Sequence, residues 1–211
     1  MKRLVGCAFT ALVVFSGGCH AKFKREVGSL GAVRAQTIVT GQPDVELGKI
    51  YDDSLAAAVF NVVQEVRSAS PAMRIASAVK IEQVNDAMKG GFAEVLGDGP
   101  PFAYTEDKSA PTLQMEVLSW GLYVPYIGAP GEFTYDLRVQ LYKPDGDRIY
   151  KTRIHCTTTA GAPPTESLIF GTVNNVKQLE QMSDAQIQDA FDAVARWCGG
   201  QLVSKMRRHA G

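Results

Sequence analysis

Apolar and polar residues alternate with a period of two through the second half of the chain. Phe133, Tyr135, Leu137, Val139 and Leu141 interleave with Thr134, Asp136, Arg138 and Gln140. A strand with one face packed and one face wet has this pattern. Thr112 to Trp120 alternates in the same way, with Leu113, Met115 and Val117 on one side and Gln114 and Glu116 on the other. Pro144-Asp145-Gly146 supplies the residues of a tight turn, so Arg148 to Thr158 is expected to pair back as a hairpin. Its packed side carries Tyr150, Ile154 and Cys156. A shorter strand is expected at Val33 to Val39, ended by Gly41 and Pro43.

Elsewhere the spacing is helical. From Val45 to Arg67, apolar residues recur in steps of three and four: Leu47, Ile50, Tyr51, Leu55, Val59, Val62, Val63 and Val66. Ser68-Ala69-Ser70-Pro71 interrupts them. Ser70 as N-cap with Pro71 at the first helical position predicts a second helix to about Lys89. Met73, Ala76, Ile81, Val84 and Met88 form its expected inner face. Gly90-Gly91 should end it, with a short strand at Phe92 to Leu96 closed by the turn residues of 97–101. After a long loop from Ala160 to Met182, Ser183-Asp184-Ala185-Gln186 reads as a capping box. The helix it opens should bury Ile187, Phe191, Val194, Cys198 and Leu202. The expected fold is therefore α+β: a mainly antiparallel sheet of about four to five strands with helices on one face.

The N-terminus stands outside this domain. Lys2 and Arg3 precede an apolar run from Leu4 to Phe15, and Ser16-Gly17-Gly18 leads to Cys19. The run is shorter than the ~20 residues a spanning helix needs, and it suits the h-region of a removable export signal. Small residues running up to a cysteine resemble the lipobox of bacterial lipoproteins, in which the thiol is acylated and the chain is cut just before it. Ser16 departs from that pattern, where leucine is usual. The alternative is ordinary cleavage after Ala21. The expected organisation is a lipoprotein signal peptide over 1–18, a basic, glycine-containing tether over 19–32, and one domain over 33–211 that includes an extra helix at about 45–67.

Charge and cysteine content narrow the class. The formal net charge is zero, and losing Lys2 and Arg3 leaves the mature chain slightly acidic, without the concentrated basic face that nucleic acid selects. Of four cysteines, Cys7 leaves with the signal and Cys19 takes lipid. Cys156 and Cys198 remain, and in an exported chain an even remainder points to a disulfide, two separate buried thiols being the alternative. Gly199-Gly200 beside Cys198 costs helix stability, about 1 kcal/mol per glycine. Close helix-to-sheet approach is the expected compensation.

The motifs of catalysis are missing. His20, His155 and His209 have no sequence-local partner at ligand or base spacing, and there is no Cys-x-x-Cys, Gly-x-Ser-x-Gly or phosphate-binding glycine loop. Asp52-Asp53 and Glu106-Asp107 read as helix-start or loop charges. No catalytic residue, metal or cofactor is expected. The features left to carry function are apolar loops. Gly121 to Pro130 holds Tyr123, Tyr126 and Ile127, and 160–182 holds Leu168, Ile169 and Phe170. Either forms an exposed partner-binding patch or packs over a sheet end. Lys205, Arg207 and Arg208 are expected to complement the negative end of the last helix.

The order helix, Gly-Gly, short strand, polar loop, three strands, capped helix resembles lipopolysaccharide-assembly lipoproteins and the auxiliary lipoproteins of ABC-type lipid transporters. It is carried by Met88 to Leu96, Pro111 to Val117 and the hairpin through Asp145-Gly146, over residues 70–211; the helix at 45–67 is additional to the pattern. The resemblance implies a non-catalytic, lipid-anchored, periplasm-facing subunit of an envelope transport or assembly complex, at the outer membrane, with the membrane and an envelope protein as partners. A regulator of a cell-wall enzyme and a periplasmic small-molecule or lipid binder are the other two readings open to such a chain.

Overall fold

The computed structural model describes residues 18–47, 70–97, 99–124, 131–157, 172–173, 179 and 181–211. In chain order they form α1 (Gly18–Glu26) with a 3-10 turn (Val27–Ser29), β1 (Ala32–Val39), β2 (Pro43–Leu47), α2 (70–78) and α3 (Ile81–Leu96). Then come β3 (Ala103–Tyr104), β4 (Thr112–Val124), β5 (Gly131–Tyr142), β6 (Arg148–Thr157), β7 (Thr172–Val173) and α4 (Asp184–Ala210). The fold is mixed α and β, and the described residues form a sheet of seven strands, larger than the four to five the alternation predicts.

The sheet is antiparallel at β4, β5 and β6. β1 and β2 both add to β4 in parallel, β1 along Thr112–Val117 and β2 along Trp120–Val124. β3 adds in parallel to β1, and β7 pairs with the first two residues of β5. The gap between β1 and β2 faces an irregularity in β4, where the register with β5 shifts between Val117 and Ser119. The backbone N–H groups of Thr40 and Gly41 both donate to Val117 O, and Trp120 Nε1 donates to Gly41 O at 2.9 Å. The extra residue, Leu118, reverses the side-chain phase. Leu113, Met115 and Val117 face the core before it, and Trp120, Leu122 and Val124 after it. Four residues assigned to a loop from the sequence, 121–124, therefore continue the strand.

The inner face of β5 (Phe133, Tyr135, Leu137, Val139, Leu141) is fully buried, as its alternation requires. α4 crosses it with Ile187, Phe191, Val194, Cys198 and Leu202 inward, opened by the Ser183–Gln186 capping box. Phe191 packs on Phe133 at 4.6 Å between ring centroids, and its carbonyl accepts from Tyr135 Oη.

Several expectations are corrected. Val45 belongs to β2, so a helix does not begin there; the rest of the expected 45–67 helix, from residue 48 on, lies outside the described residues. The single helix expected over 71–89 is two, parted at Val79 and Lys80, where Lys80 N–H is held by Gln188 Oε1 of α4. In α2 the buried residues are Pro71, Ile75 and Ala78, while Met73 and Ala76, expected on the inner face, are exposed. Phe92 to Leu96 is not a strand: α3 runs unbroken through Gly90-Gly91. A Cβ on Gly91 would lie 1.8 Å from Arg196 O, and one on Gly199 would lie 2.2 Å from Met88 O. The paired glycines thus serve a helix-to-helix crossing of α3 and α4, not a helix end or a helix-to-sheet approach.

Candidate functional site

The segment expected to be a tether is part of the fold. Phe23 and Val27, four residues apart, put one apolar stripe on α1 and its 3-10 extension, and both are buried. Phe23 packs on Tyr150 of β6 with ring centroids 4.5 Å apart. Cys19 is the second residue of this helix. One turn on, Lys22 Nζ donates to both Asp147 carboxylate oxygens, at 2.7 and 2.8 Å, in the β5–β6 turn. Lys143 pairs with Glu26, and Lys24 donates to the Gly211 carbonyl. Lys143 holds the Glu26 carboxyl below the usual carboxylate range, chiefly by its hydrogen bond, and Lys22 does the same for Asp147. The helix is fixed at both ends, to the hairpin and to the end of α4.

His20 and His209, placed by sequence in a tether and a frayed terminus, stack with ring centroids 3.9 Å apart. His209 Nδ1 lies 2.8 Å from Tyr150 Oη. Burial, then the neighbouring His20, Lys205 and Arg208, press the His209 pKa down. Burial pushes the Tyr150 phenol up to about 12. Only the fold brings these three residues together, because they lie in three separate elements and share no local motif. His155, by contrast, is exposed on the wet side of β6.

Cys156 and Cys198 form a disulfide, with Cα atoms 5.7 Å apart and both residues fully buried. It joins β6 to the middle of α4. Towards the end of α4, Lys205 Nζ donates to Arg153 O of β6 at 2.6 Å. Arg207 donates to Pro100 O, Val95 O and Leu96 O, at 3.0, 3.1 and 3.4 Å. It therefore satisfies two carbonyls at the end of α3 and one just beyond it, and with Arg208 it stands in the last turn of α4, where a positive charge faces the negative helix end.

Of the loop residues read as a partner patch, Tyr123 is half-buried on β4, opposite Glu132 of β5 and Glu46 of β2. Tyr126, Ile127, Leu168, Ile169 and Phe170 lie outside the described residues, as does the Asp52-Asp53 pair. β7 nevertheless sets Thr172 opposite Glu132, so the chain two residues beyond Phe170 meets the sheet end that carries Tyr123. Glu106-Asp107 is loop chemistry: Glu106 accepts from Tyr104 Oη, and Asp107 accepts from Ser109 N–H and Oγ at 2.9 and 2.8 Å. Among the described residues no group of three His, Cys, Asp or Glu side chains is placed to hold a metal ion. Among them, too, no helix is long and apolar enough to cross a membrane.

No family model matches the chain, and no curated protein does. Among solved structures, it is similar to the hypothetical protein CT253 from Chlamydia trachomatis, at 7% identity and a TM-score of 0.42, over 85% of this chain and 97% of that one. A likeness at that level carries neither fold nor function across.

Proposed function

We propose that this chain is an exported lipoprotein, acylated at Cys19, that serves as a non-catalytic accessory subunit of a transport or assembly complex in the cell envelope. The observation that carries the reading is the leader itself: Lys2-Arg3, the Leu4–Phe15 apolar run, and Ser16-Gly17-Gly18 abutting Cys19. The buried Cys156–Cys198 bond supports it, because structural disulfides persist in oxidising compartments such as the periplasm. Several acyl chains on one residue hold a protein firmly where one alone does not. The outer membrane, faced from the periplasm, is the proposed address. The proposed partner contact is the set Tyr123, Tyr126, Ile127 and Phe170, of which Tyr123 stands on β4 at the Glu132 end of the sheet.

The test is fractionation followed by capture. The tagged chain should sediment with membranes and bring down an envelope transport protein, while Cys19→Ser should move to the soluble fraction. Membrane recovery with a cell-wall synthase as the captured partner would replace the transport role by a regulatory one. A soluble wild-type chain would overturn the reading altogether.

A further inference from the structure

We infer that the lipid anchor works without a tether, so that the α1–α4 end of the domain rests on anionic headgroups and the β4–β5 end is held away from the bilayer. This rests on acylation of Cys19.

The geometry begins with α1. Cys19 lies within it, next to His20, whose ring stacks on His209, and four residues before Phe23, which is fully buried. Lys22–Asp147 and Glu26–Lys143 then tie the helix to the β5–β6 turn. No slack chain separates the acylated residue from the folded body. Acyl chains inserted from Cys19 would bring this end of the molecule to the headgroups.

The surface there fits them. Arg25, with its side chain 72% exposed, and the exposed Arg148 and Arg208 surround the α1 contact. Of the nearby acids, Glu26 is engaged by Lys143 and lies 3.7 Å from Arg25, and Asp147 is engaged by Lys22. The exposed Asp145 accepts from the Asp147 backbone N–H, so the cations outnumber the acids at this end. Exposed cations attract an anionic lipid surface only within about one Debye length, roughly 10 Å at moderate salt, so they act only if the domain sits this close.

The long elements set the polarity. α4 ends at the α1 contact and begins beside α2, where Arg74 pairs with Asp184. At 1.5 Å per residue, that separates the two ends of α4 by on the order of 35–40 Å. β5 runs the same way, its last residue near the anchored hairpin and its first beside Val124 and β7; twelve residues of strand cover a similar span, on the order of 35–40 Å.

The experiment places one probe at each end of the full-length, acylated chain. Cys156 and Cys198 are bonded and Cys19 is acylated, so Gly211→Cys, beside α1 and outside the cationic set, and Met73→Cys each introduce a single free thiol for a fluorophore. Acylation is checked first by intact mass. Each labelled protein is reconstituted in vesicles of phosphatidylethanolamine and phosphatidylglycerol carrying a headgroup quencher. Quenching at 211 should exceed that at 73 at least fivefold, and replacing phosphatidylglycerol by phosphatidylcholine should at least halve the contrast. Acylated protein with equal quenching at both sites would overturn the tetherless orientation and leave the lipoprotein reading standing. A contrast indifferent to anionic lipid would overturn the headgroup contact. Missing acyl mass would overturn both readings.

Discussion

Gly91 of α3 meets Arg196 of α4 backbone to backbone, with no room for a single methyl group: a Cβ on Gly91 would stand 1.8 Å from the Arg196 carbonyl oxygen. Gly199 is in the same position against Met88 O, at 2.2 Å. Neither contact is with a flexible side-chain tip, so the helices would have to separate. Overpacking of this kind costs about 1–3 kcal/mol, occasionally more. Gly91→Ala and Gly199→Ala are each expected to lower the unfolding free energy from urea titration by about that much, and so to lower the midpoint. Gly28→Ala, whose Cβ would have nothing within 4 Å, should not. Equal midpoints for all three would contradict the close crossing.

Removing the Cys156–Cys198 bond should have a large and selective effect. The bond closes a loop of 42 residues, for which the chain-entropy account gives about 4 kcal/mol. Cys156→Ser with Cys198→Ser should lose roughly 2–4 kcal/mol in urea titration. Because both residues are buried, the native wild-type chain should resist reduction by mild thiols until it is partly unfolded. Rapid reduction under native conditions would contradict the placement.

Arg207 and Arg208 are adjacent and both exposed, yet the structure gives them different work. Arg207 donates to three carbonyls around the end of α3. Arg207→Met should cost about 1 kcal/mol, the scale of charged hydrogen bonds at a wet site. Arg208→Met should leave stability unchanged. Urea titration of the two variants decides it.

Stability should fall with acid in two steps. The His209 pKa is lowered in the fold, so the unfolded chain takes the proton first. That contribution is complete above the ordinary histidine value of about 6.5 and is lost as the pH falls from there through the lower folded value. Glu26 and Asp147 are also lowered, by Lys143 and Lys22. Their contribution is complete above the ordinary carboxylate range near pH 4 and is lost as the pH falls through their folded values. His209→Asn should remove the upper step, and Lys22→Met with Lys143→Met should weaken the lower one. Urea midpoints from pH 8 to pH 3 test both.

The residues that read well from sequence are those whose signal is local. The alternation from Phe133 to Leu141 gave β5 and its buried face, and Ser183 with Gln186 gave the start of α4. The inward spacing of Cys198, together with Cys156 on the packed side of a strand, gave the disulfide. What escaped depends on distant partners. Gly90-Gly91 looks like a helix stop until Arg196 is seen against it. The strand after Trp120 is hidden by the phase reversal at Leu118. Phe23 and Val27 carry the helical spacing of α1, but Lys22, Lys24, Arg25, Gly28 and Gly31 around them give the segment the composition of a tether. Lys22 and His20 have partners, Asp147 and His209, that no pattern within one segment could supply. Of the proposed partner patch, only the position of Tyr123 is now fixed.

The most direct test of the account is the intact mass of the protein extracted from membranes, before and after reduction and beside Cys19→Ser. The account predicts a chain that begins at Cys19 with added acyl mass, lost in the variant, and a rise of about 2 Da on reduction as the Cys156–Cys198 bond opens. A soluble, unacylated chain that begins at Lys22 would contradict it.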